Sequence, residues 1–140
     1  MKKIYVAGPF FNKKEIKIMK SIKELLLSAN LGYDFFFPMD HFIPNGDKLS
    51  NSDWGKKVFE MDVTELLTSN YLFAVYNGIY SDTGTAWEIG YAYGKNIPIA
   101  LITTSKNVSI MPVNSSKRCI NYKDLLNGKI KDCINNLIQK

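Results

Sequence analysis

The chain has 140 residues, enough for one domain spanning 1–140 with a proper core and too few for two. Hydrophobic residues at 46% and charged residues at 22% exclude global disorder. The net charge of +5 raises the question of a nucleic acid polymer, but every basic residue except Arg118 is a lysine; lysines scattered as Lys13, Lys14, Lys17, Lys20 and Lys23 read as solvated helix surface, without the guanidinium forks that suit phosphates and guanine edges.

Taken in chain order, Lys3 to Ala7 is a β-prone run stopped by Gly8-Pro9, a first strand ending in a loop. The segment Met1 to Ala7 lacks the apolar length of a signal peptide or membrane span, so no membrane partner and a cytoplasmic location are expected. Asn12 caps a helix from Lys13 to Asn30, with Ile16, Met19, Ile22, Leu25, Leu26 and Ala29 at helical spacing. Asp34 to Phe37 reads as a second strand, its aromatic run suggesting burial on both faces. After a loop rich in Pro, Gly, Asn and Asp, Ser52 or Asp53 starts a helix to about Thr68, with Trp54, Val58, Met61 and Leu66 inward. Tyr71 to Tyr76 is the third strand, Asn77 to Gly84 a loop, Thr85 to Gly94 a helix and Ile97 to Thr103 the fourth strand. Ser105 to Ser116 is polar with Pro112 and reads as a long connection. Cys119 to Asn121 forms a short fifth strand, and Leu125, Leu126, Ile130, Cys133, Ile134, Leu137 and Ile138 form a closing amphipathic helix. Cys119 and Cys133 lack CxxC spacing and a matching set of histidines, so they read as buried thiols, with neither a disulfide framework nor a metal site expected.

This β/α alternation predicts an α/β, flavodoxin-like (Rossmann-like) three-layer sandwich with a five-stranded, mainly parallel sheet of order 2-1-3-4-5. Ligands in such sheets sit at the carboxyl ends of the strands near the point where strand order reverses, which puts the Gly8–Asn12 and 77–84 loops on one rim.

The most informative stretch is Ser81-Asp-Thr-Gly-Thr-Ala-Trp-Glu-Ile-Gly90. Gly84 allows a tight loop, Thr83 or Thr85 can cap the helix, and Glu88 falls in its first turn. Thr85 with Glu88 has the spacing of a capping box, a purely structural role. Against it, Glu88 lies among Ala86, Trp87, Ile89 and Gly90 on a helix with almost no charge, and Asp82 precedes it on the loop. Two acids around one site suit glycosyl transfer, one attacking the anomeric carbon and one serving the leaving group. Asp62 is a third acid at the edge of the second helix's inner face, where a satisfied core-edge role explains it as well. Phe10 and Phe11 follow a Gly-Pro turn beyond a strand end, where exposed aromatics need a reason such as ligand stacking.

Ile4-Tyr-Val-Ala-Gly-Pro-Phe-Phe11 together with Asp82-Thr-Gly-Thr-Ala-Trp-Glu-Ile-Gly90 resembles the nucleoside 2-deoxyribosyltransferase family, over roughly four fifths of the chain. The resemblance implies Glu88 as nucleophile, Tyr5 as the phenol that holds it, and Asp82 and Asp62 as the acids at the nucleobase. It implies Gly8, Phe10, Phe11 and Gly84 around the substrate, with Phe42, beside His41, where the family often has an amide that reads the base. At Ser109-Ile-Met111 many transferases carry an Asn and a Met that reach the 5′-hydroxyl across a subunit interface. Ser at that place is also seen in related nucleoside 5′-monophosphate N-glycosidases. The expected partners are therefore 2′-deoxynucleosides and free nucleobases, probed in salvage by a homo-oligomer whose sites a neighbour completes, without a cofactor. A 5′-nucleotide glycosidase and a non-catalytic nucleotide-binding module remain alternatives. A carboxylate that enters the site from the C-terminus in some family members has no clear counterpart at Lys140.

Overall fold

The computed structural model of the chain describes residues 1–78 and 82–138, the last by its backbone alone. Ser81 of the predicted motif, the rest of the 79–81 loop, the side chain of Ile138 and Lys140 lie outside the described residues. Five strands, β1 (Lys2–Ala7), β2 (Tyr33–Phe36), β3 (Tyr71–Tyr76), β4 (Ile99–Thr103) and β5 (Arg118–Asn121), form one sheet of order β2-β1-β3-β4-β5. All four pairings are parallel, so the flavodoxin-like order predicted from the alternation stands.

Side chains alternate across a strand, and β1 divides its residues accordingly. Ile4 and Val6 face a core completed by Met19, Ile22 and Leu26 of helix α1 (Lys13–Ser28) and by Cys133, Ile134 and Leu137 of the last helix. Tyr5 and Ala7 face the opposite core, with Leu66 of α2 (Asn51–Leu67) and Ile89 and Ala92 of α3 (Thr83–Gly94). β3 and β4 are buried along their whole length, the pattern of strands covered on both faces.

Asn12 caps α1 as expected, accepting from the Glu15 amide, while Glu15 Oε2 accepts from the Phe11 amide. The helix stops at Ser28, and Asn30 takes a left-handed φ of 45°, a conformation Asn tolerates better than most residues. α2 starts at Asn51, one or two residues earlier than predicted, because Ser50 is its cap, accepting from the Asp53 amide and donating to Asp53 Oδ2. β4 begins at Ile99 rather than Ile97.

Four expectations need larger corrections. The 105–116 stretch holds a helix, α4 (Ile110–Ser115); Pro112 falls in its first turn, where the missing N–H had no helical partner to lose. β2 is an edge strand, so Tyr33 to Phe35 stay partly exposed and only Phe36 and Phe37 are buried. Cys119, on the other edge strand, is exposed, whereas Cys133 is buried. The C-terminal segment is a single turn, α5 (Tyr122–Asp124), a kink within Leu125–Lys129 where Asn127 and Gly128 leave helical geometry, Gly128 at φ 91°, and then α6 (Ile130–Ile138).

At the carboxyl end of β1, Gly8 passes close to the first core. A Cβ there would lie 2.4 Å from the sulfur of the buried Met19 and 3.0 Å from Cβ of Val75, so the Met19 side chain would have to shift. Gly8→Ala is expected to destabilise the fold by about 1–3 kcal/mol through overpacking, measured by urea unfolding; a loss within error of zero would mean that the β1 loop gives way freely.

Candidate active site

The arrangement starts from Tyr5. Its ring is fully buried on the α2/α3 side of β1, paired in register with Phe36 and Leu72 and stacked on Phe36 with centroids 5.3 Å apart. The hydroxyl donates to Glu88 Oε1 at 2.5 Å. Burial, then the charge of Glu88, pushes the Tyr5 phenol far above its ordinary range, so it stays a donor, and a phenol donating to a carboxylate makes a short, strong hydrogen bond.

The local structure of α3 explains why Glu88 is available for that bond. Asp82, not Thr83 or Thr85, is the helix cap: its Oδ1 accepts from the Gly84 amide and its Oδ2 from the amide and hydroxyl of Thr85. The helix therefore begins at Thr83, and Thr85 is a buried residue inside it. The capping-box alternative for Glu88 fails on this geometry, because the cap lies six residues before it rather than three. Glu88 instead turns inward to Tyr5.

Asp62 reaches the same space from α2. Trp54, Gly55, Val58, Phe59, Asp62, Val63 and Leu66 recur at intervals of three and four, so they lie on one helix face, and all of them border a cleft of about 700 Å³. Gly8, Phe10, Phe11, Asp82, Gly84 and Glu88 border it too, at the carboxyl ends of β1 and β3 where the strand order reverses. The volume is in the range of small-molecule sites. Phe10 and Phe11 stack on each other at 5.9 Å, and Phe59 meets Trp87 edge-on at 5.4 Å; all four rings are exposed in the chain.

The carboxyls are perturbed in the same direction. Burial raises Glu88 to about 7, eased by the Tyr5 hydrogen bond and reinforced by the charges of Asp62 and Asp82. Burial raises Asp62 to about 6, offset by the charge of His41. Asp62 Oδ1 is buried without a hydrogen-bond partner, a costly state for a carboxylate oxygen and a place for a donor from a ligand. Among the described residues no group of His, Cys, Asp and Glu is arranged to hold a metal ion.

The cleft thus brings together Glu88, Tyr5, Asp62, Asp82, Gly8, Phe10, Phe11 and Gly84. It does not bring in Phe42, which is 85% exposed and borders a smaller neighbouring cavity, nor Ser109 and Met111 at the start of α4, where Met111 is 75% exposed. Trp54, Phe59 and Trp87 were not singled out as site residues from sequence. Their signal was present for α2 in the stripe that runs through Asp62, which places the cleft-facing surface at Val58 and Asp62 rather than at Met61.

The family model for nucleoside 2-deoxyribosyltransferases matches residues 4–124. The chain belongs to this family. Among solved structures, a 2-deoxyribosyltransferase from Bacillus psychrosaccharolyticus is similar with a TM-score of 0.78 and 28% identity, covering 94% of this chain and 95% of that one. A conserved protein from Enterococcus faecalis V583 shares the fold with a TM-score of 0.77 and 24% identity, over 94% and 99% of the two chains. So does a CMP N-glycosidase from Clostridium botulinum, with a TM-score of 0.57 and 17% identity, over 90% and 96%. No curated protein sequence matches the chain. No helix among the described residues is long and apolar enough to cross a membrane.

The raised carboxyl has a consequence for stability. Glu88 titrates near 4.5 in an unfolded chain and near 7 here, so the folded state is favoured below the first value and loses that advantage as pH rises through the second. Glu88→Gln keeps an acceptor for Tyr5 and removes the charge. It is expected to exceed the parent in stability at pH 8 by about 2–3 kcal/mol, with the difference closing toward pH 4, as read from urea unfolding at both pH values. A variant less stable than the parent at pH 8 would contradict the burial of this charge.

Proposed function

We propose that the protein exchanges the base of 2′-deoxynucleosides through a deoxyribosyl ester on Glu88. The observation that carries this reading is the hydrogen bond from the buried Tyr5 hydroxyl to Glu88 Oε1 at 2.5 Å, at the floor of an aromatic-walled cleft that Asp62 also borders. Family membership and the likeness to the Bacillus enzyme support nucleoside deoxyribosyl transfer as the class of reaction.

With one Glu88 oxygen held by Tyr5, the other attacks C1′ of the sugar. The C1′–N bond breaks, its electron pair goes to the base, and a carboxylic acid supplies the proton that neutralises the departing base. Asp62 is assigned this proton: its pKa of about 6 keeps a fraction protonated near neutrality, whereas both oxygens of Asp82 are engaged as acceptors at the head of α3. Asp82 holds the helix that presents Glu88. In the second half a new base attacks C1′ from the side the first one left, the ester bond breaks, Glu88 regains its charge, and the proton of the incoming base returns to Asp62. Configuration is retained and the kinetics are ping-pong. Phe10, Phe11, Trp54, Phe59 and Trp87 supply flat apolar surface for the base and keep water from the ester.

The charge of the cleft favours a nucleoside over a 5′-nucleotide. Its described lining contains Asp62, Asp82 and Glu88 and no Lys or Arg, a poor setting for a phosphate. Ser109 and Met111, exposed at the start of α4, are assigned to the 5′ end of a substrate held by a second copy, and Phe42 to the outer edge of the base.

Incubating deoxyinosine with adenine should yield deoxyadenosine and hypoxanthine, followed by chromatography. Exchange should disappear in Glu88→Ala, and the pH profile should be a bell centred between about 6 and 7, falling on the acid side as Glu88 is protonated and on the alkaline side as Asp62 loses its proton. Hypoxanthine without deoxyadenosine, or base release from 5′-nucleotides alone, would replace transfer with glycosidase action; binding without turnover would leave a nucleotide-binding module.

A further inference from the structure

The loop that leaves β1 carries two large apolar rings into the open and is held at both ends. At its start Gly8 passes close to Met19 and Val75, and the buried Pro9 has its φ fixed by its ring. At its end two hydrogen bonds cross: Asn12 Oδ1 accepts from the Glu15 amide at 3.0 Å, and Glu15 Oε2 accepts from the Phe11 amide at 2.8 Å. This reciprocal pair is a capping box, whose ordinary role is to satisfy free amides at the head of a helix.

Here the amide that Glu15 holds belongs to a residue of the cleft. Phe10 and Phe11 both border it, their rings stacked on each other with planes 12° apart. Among the described residues neither ring stacks on a third, and Phe11 is 76% exposed. So little packing holds the Phe11 side chain that its place over the cleft depends on its backbone, and Glu15 is the side chain that fixes that backbone.

We propose that Glu15 is a positioning residue: through the Phe11 amide it holds the Phe10–Phe11 pair over the cleft, and so sets how the deoxyribosyl ester divides between a new base and water. The proposal rests on the reading of Glu88 as the nucleophile. With the pair fixed, an incoming base meets an apolar surface that is already formed. With the anchor gone, binding has to order two large side chains first, and the cleft stays open to water between bases. Water then attacks C1′ in place of the base, and the bond from C1′ to Glu88 breaks. The Glu88 carboxylate is regenerated, one proton of the water passes to Asp62, and free deoxyribose leaves.

The test compares Glu15→Ala with Asn12→Ala. Each removes one of the two crossing bonds and lowers the urea midpoint, but only the first frees the Phe11 amide. In Glu15→Ala the KM for adenine, with deoxyinosine as donor, should rise about tenfold as two side chains regain their freedom. The ratio of free deoxyribose to deoxyadenosine should rise with it. Both quantities should stay at parent values in Asn12→Ala and return to them in Glu15→Gln, which keeps an acceptor for the amide. Glu15→Asp keeps the acid at the helix start with a shorter reach; if the alanine variant does not fold, it takes that variant's place with the same expected changes. Lost stability with an unchanged KM and product ratio overturns the proposal, as does a glutamine variant that restores neither. If the parent exchanges no bases, quenching of the cleft residues Trp54 and Trp87 by adenine carries the comparison. Affinity about tenfold weaker in Glu15→Ala than in the parent then keeps the positioning role while the assigned reaction falls, and equal affinity overturns both.

Discussion

The contact on which this structure turns is the one between a phenol and a carboxylate that neither side would choose to bury alone. Tyr5 can be wholly enclosed because Glu88 accepts the hydrogen bond of its hydroxyl, and Glu88 can be largely enclosed because Tyr5 donates it. Each strand and helix around them contributes to keeping that pair in register: β1 presents the phenol on the α2/α3 side, Phe36 of β2 covers its face, and the Asp82 cap sets where α3 begins and therefore where Glu88 falls. A slip of one residue in β1 would turn Tyr5 to the opposite face of the sheet, and an α3 beginning at Thr85 would leave Glu88 to its own helix end.

The pair is held at some expense of stability. Two carboxyls are raised toward neutrality by burial, one oxygen of Asp62 lacks a partner, and several large rings stand open around the cleft. These features share an explanation in a ligand with flat apolar surface and hydrogen-bonding edges. In the proposed reaction a nucleobase would cover the rings and offer Asp62 a partner, and a sugar carbon against the other oxygen of Glu88 would take up its charge as a bond. The site is unfavourable when empty in the same places where a nucleoside would relieve it.

Much of this was legible in the sequence, for reasons that differ by element. The strands and helices followed from apolar periodicity, and their alternation dictated the sheet order. The Glu88 motif stood out because a nearly uncharged helix carried one acid. What escaped was set by contacts between distant segments. Asp82 as the cap competes with two nearby threonines, and only the hydrogen bonds decide among them. The helix at Ile110–Ser115 was hidden by a proline in the one turn that accepts it. His41 looked like a free surface histidine in a loop, whereas its ring is stacked on Phe36 of β2. Trp54 and Phe59 lay in plain view on the same helical stripe as Asp62, once that stripe is centred on Val58.

The central claim is a covalent bond to Glu88, and the most direct measurement is mass spectrometry of the protein mixed with deoxyinosine and quenched in acid within its turnover time. The account predicts one added deoxyribosyl unit, mapped to the peptide that contains Glu88, lost on adding free adenine and absent from Glu88→Ala. Base exchange proceeding with no adduct, or with the sugar on another residue, would contradict it.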